Sequence, residues 1–348
     1  MTSNVSHQGI PHHPLSTLNY SDEIRLLYLA PRSLNERITC VTLHFTLSSK
    51  PRYEALSYEW GSNETKTITL NGDDYDIRTN LFDALRRLRW EREERILWVD
   101  AICINQHDVR EQNHQVSRMA SIYSQARHVV VWLREPPDCG IALGFLESIA
   151  ENELEETINH VFQTERSSKW GLQVLKGIQA LSRKQYWTRL WVVQEALLAS
   201  NTKFKCGPYC VPWGILKYVC QYLQSFISTY DPKETIYKTA TAISESRMQI
   251  FMAGRPGKLT SNLSYLCWLH GKGECEKDLD KVFGLWALAS DCCQEAIPVD
   301  YSSTYEEVLG KLLAHDVAAH GIPAENAGDL DAFKRQLFGR YGPWPYQT

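Results

Sequence analysis

Leu97-Trp98-Val99-Asp100-Ala101-Ile102-Cys103-Ile104-Asn105-Gln106 is the stretch on which the fold turns. Its apolar lead-in, Ile96 to Val99, has the composition of a strand. The run stops abruptly at Asp100, and a turn bearing Asn105, Gln106 and His107 follows. In open α/β sheets, ligands bind outside the carboxyl ends of the strands. The pattern therefore delivers polar groups to the edge where chemistry would sit.

Working outward, Ile24 to Leu29, Ile38 to Leu47 and Ala55 to Tyr58 read as further strands. Thr67 to Leu70 and Tyr75 to Ile77 flank Asn71-Gly72-Asp73-Asp74, a hairpin signal because Asn-Gly accepts positive φ. Thr79 is placed to cap a helix from Asn80 whose buried stripe is Leu81, Leu85 and Leu88. The mixed Arg and Glu of residues 86–95 read as a solvated face. Asp108 with Glu111 resembles a capping box, and Val116, Met119, Ala120 and Tyr123 give the next helical stripe. Val129 to Leu133 is a strand ended by Pro136-Pro137. Strand, helix, strand, helix, strand is the order of a parallel sheet with right-handed crossovers.

Residues 140–185 read as a helical, partly acidic insertion. A helix is expected from Trp187 to Ala199 and a strand from Thr202 to Lys205. Helices follow at Trp213 to Ile227, Ile236 to Phe251 and Leu263 to Trp268. The chain thus divides into a disordered leader (1–20), N-terminal strands (21–52), an α/β core (53–206) and a helical C-terminal portion (207–348).

Composition narrows the function. With 43% hydrophobic and 22% charged residues, the 348-residue chain is an ordinary globule. A formal charge of -4 argues against nucleic acid as a partner. No window approaches a membrane span, and Met1 to Tyr20 lacks signal architecture, so the cytoplasm is the expected compartment. The ten cysteines are irregularly spaced, with no C-x-x-C knuckle, so neither a structural metal nor a disulfide framework is expected. Gly254 to Leu259 is rejected as a phosphate loop: the glycines are too close and Leu follows the Lys.

In the expected helix from Trp187, residues Leu190 to Val193 and Ala196 to Leu198 cover most of the circumference, interrupted only by Gln194 and Glu195. A helix apolar nearly all round is buried, so Glu195 should lie in a poorly solvated place. A buried carboxylate must be paired, hydrogen-bonded or protonated. Its use is either a structural ion pair or an acid at a pocket.

Four blocks in order carry a family resemblance: Tyr53 to Gly61, Leu97 to Gln106, Tyr186 to Glu195 and Asp280 to Leu285. They resemble the fungal heterokaryon-incompatibility (HET) domain family, over roughly Tyr53 to Tyr301. The resemblance implies a role in nonself recognition and regulated cell death.

A second resemblance is to Toll/interleukin-1 receptor (TIR) domains. Ala55 to Tyr58 looks like their first strand, and Ile122 to Ala126 with Val129 to Trp132 like a helix-then-strand segment. Trp187 to Glu195 looks like their tryptophan-to-glutamate helix. It implies a TIR- or flavodoxin-like core and, where such domains cleave NAD, a catalytic glutamate at Glu195. NAD or NADP would be the substrate, and no cofactor is implied. Ser57, Trp60, Asp100, Arg189 and Trp191 are the candidate substrate-binding residues. Asp100 would bind ribose hydroxyls or cap its turn. Arg189 would hold phosphate or pair with Glu195 or Asp100. Trp60 and Trp191 would stack on a ring or pack in the core. The alternative is a non-enzymatic module that signals by self-association or by binding another incompatibility protein.

Overall fold

A computed structural model describes residue 15 and residues 22–31, 36–134, 139–165, 168–227, 231–246, 248, 262–321 and 330–339. All but one residue of the leader 1–20, together with Pro136-Pro137 and Gly254 to Leu259, lie outside the described residues.

Among the described residues the architecture is mixed α/β, built on one nine-stranded sheet flanked by helices. The strands are β1 (Glu23–Leu29), β2 (Thr39–Thr46), β3 (Glu54–Tyr58), β4 (Thr65–Leu70), β5 (Asp73–Arg78), β6 (Arg95–Trp98), β7 (His128–Trp132), β8 (Thr202–Cys206) and β9 (Tyr209–Pro212). Their order is β5-β4-β2-β1-β6-β3-β7-β8-β9. The contiguous block β6-β3-β7-β8 is parallel throughout.

The parallel sheet expected from the alternation holds in that block, the hairpin expected at Asn71-Gly72 forms between β4 and β5, and both flanks carry antiparallel pairs. β1 runs antiparallel to β6 and to β2, β4 antiparallel to β5, and β9 antiparallel to β8. β2 pairs with β4 in parallel, and that pairing links the N-terminal strands to the hairpin. The cause lies in the connections. Asn71 and Gly72 both take positive φ, 54° and 95°, and so turn the chain within two residues. A two-residue turn can only reverse a strand, whereas parallel neighbours need a long crossover. Gly207-Pro208 does the same between β8 and β9, with Gly207 at φ 56°. β9 was not anticipated because its four residues have no period to read.

Burial follows position in the sheet. β3 and β7 in the centre are buried at four of five positions, as strands covered on both faces must be. β4 and β5, at the margin, bury only one side of the pleat toward their ends.

Two helix starts differ from expectation. The helix after β5 spans Thr79–Leu88 with Arg78 at its N-cap. Thr79 is instead the first helical residue, and its hydroxyl donates to the Glu64 carbonyl at 3.0 Å. Asp108 does cap the helix Val109–Val116, accepting from the N–H groups of Arg110 and Glu111. Glu111, however, does not close a capping box. Its carboxylate accepts the Asn105 N–H at 2.6 Å and both terminal nitrogens of Arg25, Nη2 at 2.9 Å. Arg25, on β1, has no exposed side-chain surface, and its Nη1 also donates to the Cys103 carbonyl at 3.1 Å. This fork-to-fork pair ties β1 to the turn that follows Asp100.

The expected helix Trp187 to Ala199 is broken. Gln185–Thr188 form a 3-10 turn, Arg189 is extended at φ -67° and ψ 137°, and the α-helix runs only over Val192–Leu197. A backbone bridge causes the break. Leu190 N–H donates to the Glu274 carbonyl at 2.9 Å, and Glu274 N–H to the Thr188 carbonyl at 2.6 Å. Gly273 permits that approach, since a Cβ there would lie 2.7 Å from Leu190 Cα.

Removing one partner of the Arg25–Glu111 pair leaves the other charge buried. Glu111→Ala should cost about 3–5 kcal/mol. Denaturant unfolding checks this; a loss below about 1 kcal/mol would show that Arg25 recovers solvent or another acceptor.

Candidate functional site

The carboxyl ends of β3, β6 and β7 open onto one cleft of about 730 Å³. After β3 come Glu59, Trp60 and Gly61; after β6, Asp100; after β7, Arg134. The segment Gln185–Glu195 supplies Arg189, Trp191 and Glu195. The opposite wall comes from Glu274 to Lys277, Asp280 and Tyr301. A crevice beyond parallel strand ends is the usual ligand position in such sheets.

The β3 end is held by a buried amide. Asn80 donates through its side chain to the Glu59 carbonyl and accepts from the Trp132 indole at 3.0 Å. Gly61 then turns the chain at φ 71°. Trp60 is thereby set with its Nε1 on Asp100 Oδ2 at 3.0 Å, under the Arg78 guanidinium 4.8 Å from its ring. Asp100 is part of the short helix Asp100–Cys103 and also accepts the Ala101 N–H at 2.8 Å. Asp100 thus steadies its own turn and also lines the cleft.

Glu195 sits at the head of the cleft with 2% of its surface exposed. Its Oε2 accepts the Ser57 hydroxyl and lies 3.8 Å from Arg189 Nη1. Ser57 is itself 2.6 Å from the Tyr186 hydroxyl. Ser57 does not line the cleft; it stands beneath Glu195 as a support. Arg189 donates to the Tyr58 carbonyl and keeps 15% of its side chain exposed.

Burial pushes the Glu195 carboxyl up to about 7. Arg189 and the Ser57 hydrogen bond oppose that push, and Asp100 adds to it. Burial likewise raises Asp100, against Arg189 and the Trp60 indole. Arg189 stays cationic: burial disfavours its charge, but its surroundings, Glu195 first and Asp100 next, carry it above its ordinary value. One guanidinium is thus attracted by two carboxylates. Burial also drives the Tyr186 hydroxyl far upward, so it is neutral.

Of the six sequence candidates, Trp60, Asp100, Arg189, Trp191 and Glu195 line the cleft, and Ser57 supports Glu195 from below. Sequence reading missed the opposite wall. Asp280 accepts the Tyr301 hydroxyl at 2.7 Å and the Lys277 N–H at 3.1 Å, and burial raises its carboxyl. Lys277 donates to Gln112 at 3.1 Å and lies 4.8 Å from the Tyr301 ring. Asp280 opens one of the quoted blocks, and that was the available signal. Arg78, Arg134, Lys277 and Tyr301 gave none. Among the described residues, the one group with the spacing to hold a metal, Cys292, Cys293, His315 and His320, lies outside this cleft. All ten cysteines are free. No helix among the described residues is long and apolar enough to cross a membrane.

Residues 53–195, from just before β3 to Glu195, match the family model described as "Heterokaryon incompatibility protein (HET)". "Heterokaryon incompatibility protein 6, OR allele" of Neurospora crassa is 28% identical over 343 residues, covering 82% of this chain and 50% of that protein. The chain thus spans about half the length of the curated relative it matches. No solved structure matches it.

Ser57 lowers the Glu195 carboxyl through its hydrogen bond. Ser57→Ala should therefore raise the Glu195 titration further, on the order of one pH unit. NMR titration with carboxyl-labelled glutamate reads this; an unmoved midpoint would remove Ser57 from the site.

Proposed function

We propose that this chain is an effector or regulator of nonself recognition and regulated cell death that hydrolyses the nicotinamide–ribosyl bond of NAD or NADP, with Glu195 as its catalytic residue. The match over residues 53–195 supports the role in heterokaryon incompatibility. The reaction rests on one observation. Glu195 lines a cleft of small-molecule size, and both of its described contacts use Oε2. A purely structural carboxylate would engage both oxygens, as Glu111 does with Arg25 and Asn105.

The sheet supports a TIR-like core. Numbering the parallel strands in chain order, β3, β6, β7 and β8 stand in space as second, first, third, fourth. That is the beginning of the flavodoxin-like order, in which the ligand lies at the switch between the first and third strands. The cleft opens at that position, above β3 and β7.

The chemistry is hydrolysis. The bond between ribose C1′ and the nicotinamide nitrogen breaks, and its electron pair leaves on nicotinamide. Water adds at C1′ and loses a proton, giving ADP-ribose or its 2′-phosphate. The ribose passes through an oxocarbenium-like state. An ionised Glu195 stabilises that charge in a site where few water dipoles compete. Nicotinamide leaves neutral, so no general acid is required. Arg189, already bound to the Tyr58 carbonyl, is a positioning residue for Glu195. Asp100 is set to receive ribose hydroxyls, with Trp60 and Trp191 as flat walls. Arg78, Arg134 and Lys277 are the mouth cations available to a dinucleotide's phosphates; they stand among the carboxylates of Glu59, Glu274, Glu276 and Asp280, and Arg78 pairs with Glu276 at 2.9 Å.

Glu195→Gln removes the charge and keeps the shape. Nicotinamide release by the purified chain should fall by about 10² or more. Melting above pH 7 should hold within about 3 °C or rise. The sign follows from linkage. The folded carboxyl titrates near 7, against 4.5 when free, so its contribution to stability is full in acid and lost as pH rises through about 7. Gln removes that loss, and Arg189 keeps Tyr58 and Asp100 as partners. A clear drop in melting would instead mark Glu195 as half of a structural pair. Undetectable nicotinamide release by the unsubstituted chain, with self-association intact, would favour the non-enzymatic module.

The same carboxylate fixes the pH dependence. Only the ionised form helps, so the rate should climb with pH through about 7 and level off above it. A rate that is flat from pH 5 to 9 would remove Glu195 from the rate-limiting step.

A further inference from the structure

The helix Asp291–Ala296 carries adjacent cysteines, Cys292 and Cys293, and the helix Tyr305–Ala319 carries His315 and ends against His320. One ligand atom from each of the four lies within 4.8 Å of the others. His320 Nε2 is 3.3 Å from Cys293 Sγ and 3.6 Å from Cys292 Sγ. With Zn–S near ~2.3 Å and Zn–N near ~2.05 Å, the edges of a tetrahedral Cys2His2 site run about 3.3–3.8 Å. The two imidazoles meet edge to face, with centroids 5.0 Å apart and planes at 76°. His315 Nε2 is buried and has no hydrogen-bond partner among the described residues. Nothing among the described residues satisfies that nitrogen, and a metal ion would.

The surroundings suit thiolates. The Ser290 hydroxyl lies 3.2 Å from Cys292 Sγ and 3.3 Å from Cys293 Sγ, and the Leu263 N–H hydrogen-bonds the Cys293 sulfur. Such donors hold and orient metal-bound sulfur from behind. Cys293 is fully buried while Cys292 is exposed, which leaves one side open for metal entry.

We propose that Cys292, Cys293, His315 and His320 form a structural site for a thiophilic divalent cation, zinc by its ligand set. Both thiols lose a proton on binding, and the two thiolates neutralise the ion. Four ligand atoms within 4.8 Å of one another, with the two His320–sulfur edges already at tetrahedral length, supply a full Cys2His2 set and so describe a structural rather than a catalytic centre. The ion would pin together two helices whose connection carries Asp300 and Tyr301. Those residues hold the cleft wall: Asp300 accepts from Asn113 at 3.2 Å, Tyr301 N–H donates to Asn113 Oδ1 at 2.8 Å, and the Tyr301 hydroxyl donates to Asp280. The site is therefore a staple behind the wall, independent of the reaction at Glu195.

The test uses the full chain purified under reducing conditions without chelator. Elemental analysis should find about one zinc per chain. Cobalt(II) added to the chelator-stripped protein should give the visible bands and thiolate charge-transfer absorption of a tetrahedral sulfur-ligated site. Cys292→Ser and His315→Ala should each weaken zinc binding at least ~10-fold. Hydrogen exchange of residues 297–304 should rise when zinc is withdrawn. A folded chain that takes up no zinc and gives no cobalt bands would overturn the proposal, as would a Cys292–Cys293 disulfide in the freshly purified protein. Equal zinc binding by the His315→Ala/His320→Ala double variant would overturn it too. If a variant fails to fold, the cobalt spectrum of the unsubstituted chain decides alone.

Discussion

Everything around the cleft depends on one guanidinium. Arg189 donates to the Tyr58 carbonyl at the end of β3, lies 3.8 Å from Glu195 and stays charged because Glu195 and Asp100 both attract it. Three segments far apart in sequence must meet for that to happen. Arg189 can reach them only because the chain is extended there, and it is extended only because Thr188 and Leu190 hydrogen-bond Glu274 instead of continuing a helix. Gly273 has to lack a side chain for that bridge to form. A cation placed by a helix break, and a break enforced by a remote strand-like segment, is a cooperative arrangement: loosening any member moves the others.

That dependence explains what the sequence could and could not disclose. The central strands β3, β6 and β7 were legible because most of their positions are buried and their sequences are largely apolar, Val129 to Trp132 most of all. The burial of Glu195 was legible from the nearly all-apolar circumference around it. The path of the helix was not. Trp187 to Ala199 has excellent helical composition, yet it yields one 3-10 turn and six α-helical residues. Its breaking partner lies some eighty residues on, where no local pattern points back. The β4–β5 hairpin was legible in Asn71-Gly72, but the seam beside the parallel block was not: alternation of strand and helix suggests crossovers, while the antiparallel pairing of Leu27 on β1 with Leu97 on β6 is a long-range choice.

The spread of the quoted blocks now has a physical meaning. The block at Asp280 packs on the block at Glu195: the buried Gln194 side chain donates to the Phe283 carbonyl at 3.0 Å, and a Cβ on Gly284 would lie 3.2 Å from Leu190. The C-terminal residues are therefore half of the cleft rather than an appendage, although the family-model match ends at Glu195 itself. The Cys292 cluster escaped sequence reading by the same logic. Zinc knuckles are recognised by ligands a few residues apart, but here His315 follows Cys293 by 22 positions, and only the packing of two helices joins them.

Two of the chain's buried acids are held differently, and the contrast bears on what Glu195 is for. Glu111 engages both oxygens, in a fork with Arg25 and on the Asn105 N–H. That is the arrangement a structural charge needs to offset its lost hydration. Glu195 receives one hydroxyl and a cation at 3.8 Å, both on a single oxygen, and its carboxyl is pushed up to about 7. A second hydrogen bond or a closer guanidinium would have kept it ionised at less cost. The stabilisation withheld from Glu195 is the capacity left to act on something else in the cleft. A carboxylate poised near neutrality, shielded from water and turned toward an open cavity gains most from a passing positive charge.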